Sequence, residues 1–177
     1  MTIPVWKKGL GLQKINEVKI CHEGTRINKQ KTSLITAYAK APFLYDHLGF
    51  IEKTFLSDTE RLIEINLKII MYLFEQFKIK TKTVLLSQLD IKTTGNKLLV
   101  DICRLMKADR YLAQGPARKY LDTDMFKNYR IELSFFRLPS LVYPQLWGDF
   151  IPNLSAFDLL LNCGPKAGEI LLAGGME

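Results

Sequence analysis

The stretch NKLLVDICRLMKADRYLAQGPARKYLDTDMFKNYRIELSFF, residues 96–136, decides the fold. Residues 96–108 read as an amphipathic helix, RYLA at 110–113 as a short apolar strand, residues near 122–128 as a second short helix, and IELSFF at 131–136 as another strand. With TVLLS at 83–87 ahead of it as a further strand, the rhythm becomes βαβαβ. Short apolar strands separated by amphipathic segments bury themselves most simply as a parallel sheet covered by helices, with right-handed crossovers. The predicted fold class is therefore α/β. Ligands of such sheets sit beyond the carboxyl ends of the strands, which directs attention to Ser87 and Gln88, to Gln114 through Tyr120, and to Arg137 onward.

Upstream, TIPVW at 2–6 and INEVKI at 15–20 suit two strands around a connection containing Gly9 and Gly11. From Gly24 the spacing of Ile27, Leu34, Ile35 and Tyr38 predicts a helix that Pro42 stops, and Phe43 to Phe55 predicts a second. Ser57 and Glu60 have capping-box spacing ahead of the stripe Leu62, Ile65, Ile69, Leu73 and Phe77, which predicts a helix over 58–77. Downstream, YPQLWGDFIPNLSAFDLLLNCGP, residues 143–165, reads as an aromatic loop running into a helix that Ser155 and Asp158 would cap, with Gly164-Pro165 opening another short helix. One domain over 1–177 is expected, with a helical segment at 25–77 and an α/β core at 82–172 as sub-regions.

Composition excludes several classes. The chain of 177 residues is 47% hydrophobic and 24% charged, enough to bury a sizeable core. Its apolar runs are broken by Lys68, Glu75 or Asp158, so no membrane span is expected. The first residues lack a secretory plan, and Cys21, Cys103 and Cys163 form neither a disulfide framework nor a metal-type pair. A reduced, cytoplasmic protein without a metal site is expected. No motif names a cofactor. The net charge of +7 is concentrated in residues 1–40, with eight basic and two acidic residues, and in 81–120, with eight and three. That excess suits an anionic partner. Without a Lys/Arg run or an RNA-recognition signature, nucleic acid is not the expected main one.

Two segments carry candidate chemistry. In the first, Gln114, Gly115, Arg118, Lys119 and Tyr120 follow a strand and open a helix, so free amides, a permissive glycine and two cations converge where a phosphate or other small anion can dock. A helix-opening turn with incidental cations has the same spacing. In the second, Tyr143, Gln145 and Trp147 interleave apolar faces with hydrogen-bonding groups, the mixture that holds a sugar ring, and a loop packed over a sheet edge is the alternative. Asp149 and Asp158 are the candidate general bases, with a helix cap as the competing role for Asp158. His22 and His47 read as structural or surface histidines, and Cys103 and Cys163 as inert thiols on apolar helix faces.

The segments LLVDICRLMKADRYLAQGPARKYLD, residues 98–122, and VYPQLWGDFIPNLSAFDLLLNCGPKAGEIL, residues 142–171, together with TIPV at 2–5 and AYAKAPF at 37–43, resemble the WbqC-like protein family. By position, the resemblance carries over Gln114, Gly115 and Tyr120, and then Tyr143, Gln145, Gly148, Phe150, Pro152, Ser155, Asp158, Asn162 and Gly164. The family is encountered in gene clusters for O-antigen and other surface polysaccharides, which implies sugar modification. Its pattern usually has further motifs ahead of TIPV, so the chain is expected to lack roughly fifty amino-terminal residues, leaving a sheet edge that invites self-association. Gln30 and Ser140-Leu141 stand where the family often has histidines.

The resemblance and the residues together imply an acyl or aminoacyl group transferase acting on a nucleotide-linked amino sugar. In that reading Gln114, Gly115, Arg118 and Lys119 hold phosphates, Tyr143, Gln145 and Trp147 frame the sugar, and Asp149 or Asp158 takes a proton. The alternative is a non-catalytic binding or assembly protein of the same pathway.

Overall fold

The computed structural model describes residues 2–55, 58–137 and 141–174. In chain order these form α1 (Arg26–Ala37), α2 (Leu44–Phe55), α3 (Leu62–Gln76), α4 (Gly95–Leu105), β1 (Arg110–Gln114), α5 (Thr123–Asn128), β2 (Glu132–Phe136), α6 (Ala156–Cys163) and α7 (Ala167–Ala173). The chain divides into two compact units, Met1–Lys80 with Ser140–Glu177, and Thr81–Pro139. The carboxyl-terminal segment thus packs with the helical region instead of continuing the α/β core expected over 82–172.

The first unit is built around α6. Every residue from Asp158 to Cys163 is buried, because this short helix is apolar on nearly all sides. Leu159, Leu160 and Cys163 pack with Phe77, Tyr143 and Ala167, while Leu161 packs with Ala41, Leu44, Ile51 and Phe55. The stripe of α3 falls as its spacing predicts, with Ile65 and Phe77 buried. Its start does not. Residues 60 and 61 run beside 18–20 ahead of the helix, where Ile20 N–H donates to the Glu60 carbonyl (2.8 Å) and Leu62 N–H to that of Val18 (2.9 Å). The helix begins at Leu62 with Arg61 at its N-cap and no side-chain cap, and the Glu60 carboxylate is engaged by Lys19; Ser57, the other half of the expected box, lies outside the described residues. The tertiary pairing takes the residues that local capping would have used. Likewise TIPVW and INEVKI meet only through a single antiparallel bridge, Val5 with Ile20. Pro4 contributes a carbonyl to this meeting, accepting from Cys21 N–H (2.9 Å), but has no N–H to extend a ladder.

The second unit is a βαβ arrangement. β1 and β2 pair in parallel, with Arg110 opposite Glu132 and Gln114 opposite Phe136. The first of these register pairs is also an ion pair, Arg110 Nη2 to Glu132 Oε2 at 3.0 Å. Val100 and Cys103 of α4, Phe126 of α5, and Ile131 form its core. The βαβαβ sheet is not formed among the described residues: TVLLS at 83–87 is irregular, ending in a 3-10 turn at Leu86–Gln88, with Val84 and Leu86 exposed. An apolar run of that length is a strand only where a neighbour receives its N–H and C=O groups, and periodicity cannot reveal whether one is there. Among the described residues no helix is long and apolar enough to cross a membrane.

Candidate functional site

The candidate residues fall into two groups, one in each unit. In the second unit the polypeptide leaves β1 at Gln114 and enters a 3-10 turn, Gly115–Lys119, with Pro116 near its start. This turn is tied down at its end. Asn96, at the start of α4, donates from Nδ2 to the Tyr120 carbonyl and accepts at Oδ1 from Asp122 N–H, both at 3.0 Å. Asp122 in turn caps α5, accepting from Asp124 and Met125 N–H. The result is a concavity of about 730 Å³ beyond the carboxyl ends of both strands, lined by Gln114, Gly115, Pro116, Arg118, Phe135, Phe136 and Arg137. The Arg118 guanidinium lies over the Phe135 ring, with Cζ 4.5 Å from the ring centroid. Neither Arg118 nor Arg137 makes a hydrogen bond or ion pair with the described residues, so two cations face this opening with their donors unspent. Sequence reasoning picked out Gln114, Gly115 and Arg118, and pointed to Arg137 only as the residue after a strand. Lys119 and Tyr120 are exposed and do not line the concavity.

In the first unit the aromatic loop folds onto one carboxylate. Asp158 is 4% exposed. Its Oδ1 accepts from Tyr38 Oη (2.7 Å) and Asn162 Nδ2 (3.3 Å), and its Oδ2 from Tyr143 Oη (2.8 Å) and Gln145 Nε2 (3.3 Å). A carboxylate has about four acceptor positions, and all are used. Burial first, then the hydrogen bond to Asp158 and its charge, pushes the Tyr38 hydroxyl well above the ordinary tyrosine range. Tyr143 is raised for the same leading reason. Gln145 also closes the loop on itself, donating to the Ile151 carbonyl and accepting from Ile151 N–H, both at 2.9 Å. Ser155 caps α6 through Phe157 N–H at 3.2 Å, as its position predicts. Asp158 does not complete that box, since its side chain turns to the tyrosines.

Trp147 stands apart from this network. It is largely exposed, donates from Nε1 to the Ala37 carbonyl (3.4 Å) and lies under the Lys40 ammonium, 5.4 Å from the ring centroid. Asp149 is exposed and makes no hydrogen bond or ion pair with the described residues. In the sequence Tyr38 reads only as a helix residue and as part of AYAKAPF, and nothing local signals that its hydroxyl meets a carboxylate 120 residues away. His47, expected at the surface or as a satisfied structural group, is the latter: it is buried, with Nδ1 2.6 Å from Tyr72 Oη. Gln30 accepts from Thr2 N–H at 3.4 Å, and Ser140 lies outside the described residues.

Comparison with known proteins agrees with the motif reading. The chain is 27% identical over 174 residues to Uncharacterized protein Rv1507c of Mycobacterium tuberculosis (strain ATCC 25618 / H37Rv), an alignment spanning 97% of this chain and 74% of that protein. No solved structure matches the chain. Residues 1–170 match the family model in one continuous span, and the chain belongs to the WbqC-like protein family.

Proposed function

We propose that the protein binds a phosphorylated small molecule of the nucleotide-sugar class at the carboxyl ends of β1 and β2, and that it serves surface polysaccharide assembly through this binding. The observation that carries the proposal is the convergence of Arg118 and Arg137 on one concavity with Gln114 and Gly115. Arginine binds phosphate oxygens through charge-assisted, often bidentate hydrogen bonds, and ligands of open α/β sheets sit beyond the carboxyl ends of the strands. The basic excess of residues 81–120 favours the same partner.

Acyl or aminoacyl transfer to an amino sugar is the enzymatic form of this reading and requires a proton acceptor. Asp158 suits that role poorly, because accepting a proton means displacing at least one of four donors. Asp149, the other candidate base, is exposed and unengaged by the described residues, and like Asp158 it belongs to the first unit and not to the one that carries the concavity. The saturation of Asp158 also favours the second reading, in which the protein binds its ligand without turning it over and Asp158 holds the loop together.

The test is thermal unfolding in the presence of a panel of nucleotide sugars. A ligand at 100 times its dissociation constant adds about 2.7 kcal/mol to stability, which is a clear upward shift. The shift is expected for at least one sugar class and is expected to shrink in Arg118→Ala and Arg137→Ala. A shift that both variants retain in full overturns the assignment. Product formation with the responding sugar and an acyl donor would separate the enzyme from the binder.

A further inference from the structure

We infer that Phe135 is a positioning residue that holds the Arg118 guanidinium flat, so that its N–H edge selects an anion with two coplanar oxygens of the phosphate type. The inference rests on the anion-binding reading above and adds to it a residue and a rule of selection. Arg118 sits on an exposed turn and has no hydrogen bond or ion pair among the described residues. An arginine so placed ordinarily samples many rotamers, and ordering it on ligand binding costs side-chain entropy. Here its planar group lies over an aromatic face, Cζ 4.5 Å from the centroid. A guanidinium laid parallel on a ring spends its face and keeps its in-plane donors for two parallel N–H···O bonds, and a Cζ at this height over the ring is what such a stack requires.

Phe135 is suited to the task because its backbone is fixed. It lies within β2, paired in register with Ala113 of β1. By the alternation of a strand it shares a face with Leu133, which packs against the unit's core. The ring is half-buried while Arg118 is exposed, so the mobile partner rests on the immobile one. Arg137 follows β2 directly and supplies the second cation of the same opening. A lysine at 118 would keep the charge but lose both the flat stack and the fork.

The experiment is calorimetric titration of the whole chain with inorganic pyrophosphate, with thermal melting of every variant as a control for folding. Arg118→Ala is expected to weaken binding by about tenfold or more, as loss of a charge-assisted fork does. Phe135→Leu, which keeps apolar bulk and removes the ring, is expected to weaken it by about two- to fivefold, and Phe135→Tyr to restore it. Arg118→Lys is expected to lose at least as much as Phe135→Leu. If Arg118→Ala loses binding while Phe135→Leu or Arg118→Lys binds like the parent, the positioning role is overturned and the anion site stands. Equal weakening in Phe135→Leu and Phe135→Tyr also overturns it, since the ring is then not what matters. If pyrophosphate does not bind, or binds unchanged in both Arg118→Ala and Arg137→Ala, the anion-binding reading falls and this inference with it. Should Phe135→Leu melt early, Phe135→Met, which also keeps apolar bulk without a ring, takes its place in the same comparison.

Discussion

Tyr38 Oη donates a 2.7 Å hydrogen bond to Asp158 Oδ1, joining the residue after α1 to the first turn of α6 across 120 residues of chain. Tyr143 does the same from the other side, at 2.8 Å to Oδ2. The carboxylate is therefore the point at which the 37–43 segment, the aromatic loop and α6 are fastened together. Its burial at 4% exposure costs nothing in unsatisfied groups, because each oxygen has two donors.

Removing that carboxylate should therefore be among the more damaging single changes in this unit. Asp158→Ala strands the hydroxyls of buried Tyr143 and half-buried Tyr38 and is expected to destabilise the protein by about 2–4 kcal/mol, whereas Tyr38→Phe, which deletes one donor and leaves the acceptor partly served, is expected to cost about 1 kcal/mol. Urea unfolding of the three proteins measures both. Equal stability of Asp158→Ala and the parent would show that the network is incidental.

Gly164 answers to geometry of another kind. It has φ +52°, and a Cβ there would stand 2.4–2.6 Å from three atoms of the Phe43 ring. Phe43 is itself held by the hydrogen bond from its N–H to the Leu161 carbonyl, 3.1 Å. Gly164→Ala is expected to destabilise by more than about 1 kcal/mol, from left-handed backbone strain together with overlap. Gly115 has neither constraint: its φ is not positive, and the nearest atoms to a Cβ are at 3.7 and 3.8 Å. Gly115→Ala is expected to change stability by less than about 0.5 kcal/mol while weakening pyrophosphate binding, a separation that melting and calorimetry read on the same samples.

His47 gives a pH dependence with a definite sign. Burial is the main cause that lowers its pKa below 6.5, partly opposed by the charge of Asp46. As pH falls through 6.5 the unfolded chain binds the proton before the folded chain does. The stability this group contributes is thus present above 6.5 and lost below it. The chain has two histidines, so proton NMR can follow each ring separately, with His47→Gln identifying the signal. A His47 titration midpoint at or above 6.5 would contradict the burial argument.

The cysteines should separate by accessibility. Burial pushes the Cys103 and Cys163 thiols up, and both are buried, whereas Cys21 is half-buried. Ellman's reagent at neutral pH is expected to modify Cys21 first in the folded protein and to reach Cys103 and Cys163 only on adding denaturant. Rapid reaction of all three in the native state would place the cores formed by α4 and α6 in doubt.

Much of this arrangement can be read along the chain. The periodicity of 62–77, the cap at Ser155 and the strands around Gln114 and Phe136 are local properties, set by which side chains fall on one face and by which backbone groups need partners within a turn or two, whereas α1 ends at Ala37, ahead of the stop expected at Pro42. The position of the candidate anion site was legible for the same reason, since it follows from a strand ending at Gln114 and a turn beginning at Gly115. Membership of the family was legible too, because its motifs are runs of adjacent residues.

What tertiary structure alone decided is every case in which two distant segments compete for, or share, the same groups. Glu60 was available to cap α3 or to meet Lys19, and the pairing of 18–20 with 60–62 settled it. TVLLS could serve as a strand only beside a partner, and among the described residues none takes it up. The Asp158 side chain could complete the cap of α6 or turn away from it, and four donors from Tyr38, Tyr143, Gln145 and Asn162 hold it away. Hydrogen-bonding capacity is written in the residue, but its partner is chosen by proximity, and proximity across 120 residues is a property of the folded chain.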